Sequence, residues 1–212
     1  RQLDNDIWLL SDHIYSKVYT IDDINYNMGD EVQQNDMLEN YCTFLNTLDD
    51  TVDCQISVWN STINIKDYES KILVKRANDG YDDVRQEYND KVLHENLSKG
   101  QNAIRKPILI TMTMEVLEYE VAQRKFNTID LETKNSFERI GNTNLRPLSN
   151  QERIELLKDV FVGADVAIPK LTKEDIDKGL DKVYCAPDYF EFKSDYFMFG
   201  EFYAKCVFIK EY

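Results

Sequence analysis

The chain has 212 residues and a mass of 25.0 kDa, enough to bury a sizeable core as one large domain or two small ones. Hydrophobic residues make up 42% and aromatics 12%, which is too apolar for a disordered chain. With 25 Lys plus Arg against 39 Asp plus Glu, the net charge of −14 argues against a protein whose main task is gripping nucleic-acid phosphates.

Residues Ile14 to Ile21 are rich in β-branched and aromatic side chains and read as a strand. A turn over Asn25 to Asp30 follows. From Glu31 the period changes: Met37, Leu38, Tyr41, Cys42, Leu45 and Leu48 recur every three or four residues, an amphipathic helix ending near Asp49-Asp50. Val52, Cys54, Ile56 and Val58 then alternate with Asp53, Gln55 and Ser57, which is the clearest half-buried strand in the sequence. A charge placed at Ile56 or Val58 is expected to unfold the domain.

A second unit opens with a helix over 82–98, marked by Tyr81, Val84, Tyr88, Val92 and Leu97 and stopped by Gly100. Pro107 to Met114 reads as an interior strand. A long helix over 115–140 follows, with Val116, Leu117, Val121, Ile129, Leu131, Phe137 and Ile140 as its apolar contacts and Gly141 as its end. Asn144 to Leu148 is short and extended, kept from helix partly by Pro147. Ser149 and Glu152 form a capping box before a helix whose apolar face is Ile154, Leu156, Leu157, Val160 and Phe161, closed by Gly163. Residues 164–188 read as loop with one short helical turn near 173–180.

The tail reads as a hairpin. Tyr189 to Lys193 and Tyr196 to Phe199 lead through Gly200-Glu201 to Phe202 to Ile209, dense in aromatics on both arms. Tyr189, Phe190, Tyr196, Phe199, Phe202 and Tyr203 are the candidate interaction surface. The expected architecture is α+β: a split β-α-β, ferredoxin-like sheet, antiparallel or mixed, covered by helices on one face, with the aromatic hairpin at its C-terminus. It is expected as one domain over 1–212, with a body at 14–163 and the loop and hairpin at 164–212.

Residues with chemistry are sparse. None of the seven glycines begins or ends a G-x-x-x-x-G-K-[ST] loop, so nucleotide hydrolysis by that device is not expected of this chain. His13 and His94 are the only histidines, with no G-x-S-x-G beside them. The pairs Asp22-Asp23, Asp49-Asp50 and Asp82-Asp83 sit at turns or helix entrances, where Asp serves structure. Arg146, Arg153 and Lys158 are read as a solvated face. Cys42, Cys54, Cys185 and Cys206 show no metal-ligand spacing and read as buried, reduced thiols. No catalytic, cofactor-binding or metal residue is assigned. No apolar run approaches the roughly 18 residues of a membrane span, and no signal-peptide pattern opens the chain. The start at Arg1-Gln2-Leu3-Asp4, without Met, reads as a piece of a longer protein.

Three blocks carry a resemblance over roughly residues 7–212. The first is Ile21-Asp22-Asp23-Ile24-Asn25-Tyr26, with Leu38 to Asn46 and Val52 to Ser57. The second is Phe137-Glu138-Arg139-Ile140 with Leu148 to Leu157. The third is Ala186-Pro187-Asp188-Tyr189-Phe190-Glu191-Phe192 and the aromatic tail to Tyr212. In order and spacing the chain resembles the N-terminal domain of conjugation ATPases of the CagE/TrbE/VirB type, in the version of Gram-positive conjugative transposons. The resemblance implies a non-catalytic assembly and docking domain of a type IV secretion motor. It would be cytoplasmic and held at the inner face of the plasma membrane through neighbouring ATPase subunits and inner-membrane transfer-channel proteins. ATP and Mg²⁺ would belong to the C-terminal domain, beyond this chain. Neither tight nucleic-acid binding nor membrane insertion is expected. A free-standing adaptor or regulatory module of a mobile element is the alternative, and a small carboxylate hydrolase or nuclease the third reading.

Overall fold

The computed structural model describes residues 1–22, 24, 26–62, 73–94, 104–140, 143, 145–163 and 168–208. Asp23, Asn25, residues 95–98 with Gly100, Gly141, Asn144, residues 164–167 and the end of the tail from Ile209 lie outside them. In chain order the elements are β1 (Trp8–Ser11), β2 (Ile14–Ile21), α1 (Glu31–Thr47), β3 (Val52–Val58), β4 (Ser61–Thr62) and α2 (Asp82–Tyr88), the last continued by a wider helical turn over Asn89–His94. Then come β5 (Ile104–Arg105), β6 (Ile108–Glu115), α3 (Tyr119–Arg139), β7 (Leu145–Pro147) and α4 (Asn150–Phe161). The chain closes with α5 (Lys173–Asp177), α6 (Leu180–Cys185), β8 (Phe190–Phe192), β9 (Phe197–Phe199) and β10 (Phe202–Ala204). The chain folds into two compact units.

The first unit comprises Arg1–Trp59, Pro107–Leu156 and Lys170–Asp181. Its main sheet has the order β1-β2-β6-β3, with β7 also on β2. Taken as β2-α1-β3-β6-α3-β7, the chain traces the split β-α-β of a ferredoxin-like sheet. Every pairing in it is antiparallel, so the sheet is not mixed. Residues Ile110, Met112 and Met114 of β6 and Tyr15 and Tyr19 of β2 share one face. On it α1 contributes Phe44, and α3 contributes Ala122, Phe126, Ile129 and Phe137. The local signals are orthodox. Asp30 and Gln33 cap α1 reciprocally. Glu152 accepts from the Ser149 N–H at 2.9 Å, and the Glu152 N–H donates to Ser149 Oγ at 3.3 Å, so the expected capping box opens α4.

The expectation of helices on one face only is corrected. Val18, Leu109 and Leu148 form a second cluster on the opposite face, against Leu156 of α4. Tyr15 to Tyr19 are therefore buried without interruption, as a strand covered on both sides must be. The polar residues in that run are satisfied. Lys17 reaches Asp130 of α3 at 2.7 Å, and Arg153 of α4 donates to the Ser16 carbonyl and hydroxyl, each at 3.1 Å.

Other expectations shift in detail. The long helix begins at Tyr119 rather than Glu115 and leaves Leu117 and Leu131 exposed. Two short helices, α5 and α6, occupy 173–185 where one turn is expected. Ile56 and Val58 lie in register with Ile110 and Ile108, yet they are 48% and 62% exposed. They occupy the rim of the face that α1 and α3 cover, so a charge there does not bury. Val58→Asp is expected to lower stability by about 1 kcal/mol or less, within the usual range for surface positions. Urea unfolding at low protein concentration measures it, and a loss of several kcal/mol would return Val58 to the core.

Candidate functional site

The second unit comprises Asn60–Lys106, Leu157–Pro169 and Lys182–Tyr212. Its tail is a three-stranded antiparallel meander, in the order β10-β9-β8, rather than a two-armed hairpin. Phe and Tyr suit a pleated, half-buried surface, which favours strands here. The β8–β9 connection is closed by the Lys193 N–H donating to the Tyr196 carbonyl at 2.9 Å. Gly200 turns β9 into β10 with φ +55, a backbone state open to glycine at little cost. Its N–H donates to the Tyr189 carbonyl at 3.0 Å.

The register sorts the aromatic side chains by face. Phe190 pairs with Phe199, Phe199 with Phe202, Phe192 with Phe197, and Phe197 with Ala204. These residues are spaced by two along each strand, so five phenylalanines share one face. Glu191, Met198 and Tyr203 occupy the other. Tyr196 joins Tyr203 there, ring centroids 5.6 Å apart. The candidate surface is thus two surfaces: Phe190, Phe199 and Phe202 belong to the phenyl face, and Tyr196 and Tyr203 to the tyrosine face. Tyr189 sits just before β8, half exposed.

The phenyl face is partly covered from α4. Phe161 stands edge-on to Phe190 at 6.4 Å and to Phe199 at 5.9 Å. Gly163 lies close to the Phe202 ring: a Cβ there would stand 3.2 Å from Cζ, and its φ is +104. Phe192 remains 79% exposed and Phe190 and Phe202 about half exposed. The candidate set omits Phe192, Phe197, Phe161 and Gly163. The first two carry a legible signal, the period-two spacing from Phe190 and Phe199. The contacts of Phe161 and Gly163 have none, because they come from a distant helix end.

The remaining chemistry-bearing residues resolve mostly into structure. Asp82 accepts from the Ala77 and Asn78 N–H groups and from Arg85, which also pairs with Asp79. Asp49 is held down to about 2, first by its hydrogen bond with Asp50 and then by the Thr51 N–H, and the Asp50 carboxyl is raised in turn. Asp50, Thr51 and Asp53 line a cavity of 440 Å³ with His13, Glu115, Val116 and Leu117. His13, in the β1–β2 turn, has Nδ1 3.1 Å from the Leu117 carbonyl oxygen. Among the described residues no group of three or more His, Cys, Asp or Glu is arranged to hold a metal ion.

The solvated basic face holds for Arg146, which is exposed, and is corrected for Arg153 and Lys158. Arg146 forms a two-pronged pair with Glu152, at 2.9 and 2.7 Å, and holds that carboxyl down to about 2. Arg153 is buried with its guanidinium 4.3 Å from the Trp8 ring centre, and desolvation lowers it to about 10. Lys158 is buried beside Asp159, 2.7 Å away. The cysteine expectation changes too: Cys42 and Cys206 are exposed, and Cys54 and Cys185 half-buried. Burial raises the Cys54 thiol. Among the described residues no helix is long and apolar enough to cross a membrane. No protein-family model and no curated protein matches the sequence.

Proposed function

We propose that this chain is a docking and assembly domain, the N-terminal part of a conjugative-transfer ATPase of the type IV secretion kind. It acts in the cytoplasm, held at the inner face of the plasma membrane through its partners. The observation that carries this reading is the phenyl face of β8, β9 and β10, where Phe190, Phe192 and Phe202 stay in water. Exposed apolar area costs about 25 cal/mol per Å², which a partner's surface recovers. Aromatic residues held on a strand lose little further entropy on binding and are enriched at interface centres. A net charge of −14 repels anionic headgroups, so the partner is a protein rather than lipid. Motor chemistry would lie in the ATPase's own nucleotide domain.

The test measures binding of the 212-residue chain to purified ATPase subunits and inner-membrane channel proteins of one transfer system, by calorimetry. Phe192→Ser with Phe202→Ser is expected to weaken the interaction about tenfold or more, as removal of interface anchors does. Binding by the double variant at the original strength, or none by the unaltered chain, would overturn the proposal.

A further inference from the structure

Strand β3 ends the main sheet, and among the described residues it pairs with β6 alone. The Trp59 N–H donates to the Pro107 carbonyl at 3.1 Å, one step beyond the Val58–Ile108 pair. In an antiparallel ladder, hydrogen-bonded pairs alternate with non-bonded pairs. Trp59 therefore fixes the phase: Asp53, Gln55 and Ser57 spend their main-chain groups on β6. Cys54, Ile56 and Val58 direct their N–H and C=O groups outward, as does the Val52 carbonyl, whereas the Val52 N–H donates to the Asp49 carbonyl at 3.0 Å. Ile56 and Val58 along this edge have exposed side chains. Natural edge strands are usually short, charged, bulged or covered. Over seven residues this one carries a single charge, Asp53.

We propose that β3 is a self-pairing edge, joining two copies of this chain into one continuous antiparallel sheet about a two-fold axis at Gln55. The strand's own register points to a second copy as the occupant. Centred on Gln55, the pairing sets Cys54 against Ile56 of the second copy and Val52 against Val58 of the second copy. Cys54 and Ile56 can exchange both main-chain bonds with the second copy, and the Val58 N–H meets the Val52 carbonyl of the second copy, while the Val52 N–H keeps the Asp49 carbonyl. The same pairs fall on the face that α1 and α3 cover, where they bury the exposed Ile56 and Val58 side chains. On the other face Asp53 meets Ser57 of the second copy, and the two Gln55 amides face each other. Moving the axis to Asp53 would oppose two carboxylates, and moving it to Cys54 would leave Val58 beyond the end of the partner strand. The Gln55 register alone uses all seven residues and sets no like charges opposite each other. The −14 charge on each copy opposes association, so the dimer strengthens as salt screens it.

Sedimentation equilibrium of the whole chain, in a concentration series at low and high salt, tests this. A monomer–dimer equilibrium is expected, shifted toward dimer by salt. Gln55→Lys sets two ammonium groups face to face across the axis while leaving an exposed side chain in the monomer, and is expected to weaken the dimer about tenfold or more. Ile56→Pro removes an outward N–H that the β6 ladder does not use, with the same expected result. Gln55→Cys places the introduced thiols at a non-hydrogen-bonded pair, where backbone separations of about 4.5 Å between α-carbons fall within disulfide reach. Mild oxidation should then lock the dimer through that position, as peptide mapping would read. A chain monomeric up to about 1 mM, the weak end of specific association, would overturn the proposal. So would a dimer that Gln55→Lys leaves intact, or one that Phe192→Ser abolishes. The edge and the phenyl face are different surfaces, so partner binding should survive Gln55→Lys whichever way this test falls.

Discussion

Phe44→Ala is expected to destabilise the protein by about 4 kcal/mol, near the middle of the range for emptying a buried aromatic site. Phe44 is the one residue among those described in α1 that is fully buried. Its ring stands edge-on to Phe137 of α3, centroids 4.9 Å apart at 68°. Tyr41 adds a tilted contact at 6.4 Å. Much of the rest of α1 is exposed, including Val32, Leu38 and Leu45, so neighbouring side chains cannot make good the loss. The Asp30–Gln33 capping box lies at the far end of the helix. The truncated helix should therefore persist locally while losing its grip on α3. Stabilities of small domains run to about 5–15 kcal/mol, so this change removes a large fraction of the total. Urea unfolding by tryptophan fluorescence and by circular dichroism measures it. A loss under about 1 kcal/mol, typical of a surface site, would place Phe44 outside the core. Phe44→Leu, which keeps most of the volume, should lose less.

The topology of the first unit was legible because its elements announce their periods. Period two marks β3, period three-to-four marks α1, and the unbroken apolar run marks β6. Those three patterns and the Ser149–Glu152 cap suffice for a split β-α-β order. What periodicity cannot convey is how far a covering element reaches. The alternation of β3 names the core-side residues correctly, but Ile56 and Val58 run past the helices that would bury them. It also cannot identify a buried charge. A lysine in the middle of β2 reads as solvent-facing, and its partner Asp130 lies 113 residues away. Arg153 of α4 hides in the same way, since its stacking partner Trp8 sits on β1, far off in the sequence. In the tail the aromatic density was plain, whereas its division into a phenyl and a tyrosine face needed the register. Strict alternation from Phe190 would have brought in Phe192, the most exposed ring of the phenyl face.

Asp130→Ala is expected to be the second large loss, about 3 kcal/mol, because it strands a buried cation. Lys17 Nζ donates to Asp130 Oδ2 and the Tyr19 hydroxyl donates to Oδ1, both at 2.7 Å. The Lys17 side chain is 4% exposed and that of Asp130 28%. The asymmetry decides which partner matters more. Without Asp130, the Lys17 ammonium and the Tyr19 hydroxyl, both on buried residues, lose their acceptor. Among the described residues the ammonium would retain only the Tyr19 ring, 5.9 Å away. Without Lys17, Asp130 keeps Tyr19 and some water. Lys17→Met should therefore cost less than Asp130→Ala, and the double variant less than the sum of the two. A coupling of about 1–3 kcal/mol is expected from a double-mutant cycle on contacting groups. Burial and then the Asp130 carboxylate hold the Tyr19 phenol well above the usual tyrosine range. Ultraviolet titration should accordingly find Tyr19 unionised at alkaline pH in the folded protein, and easier to ionise in Asp130→Ala. Equal losses from the two single variants with no coupling would mean that Lys17 and Asp130 act separately, each held by its own surroundings rather than by the other.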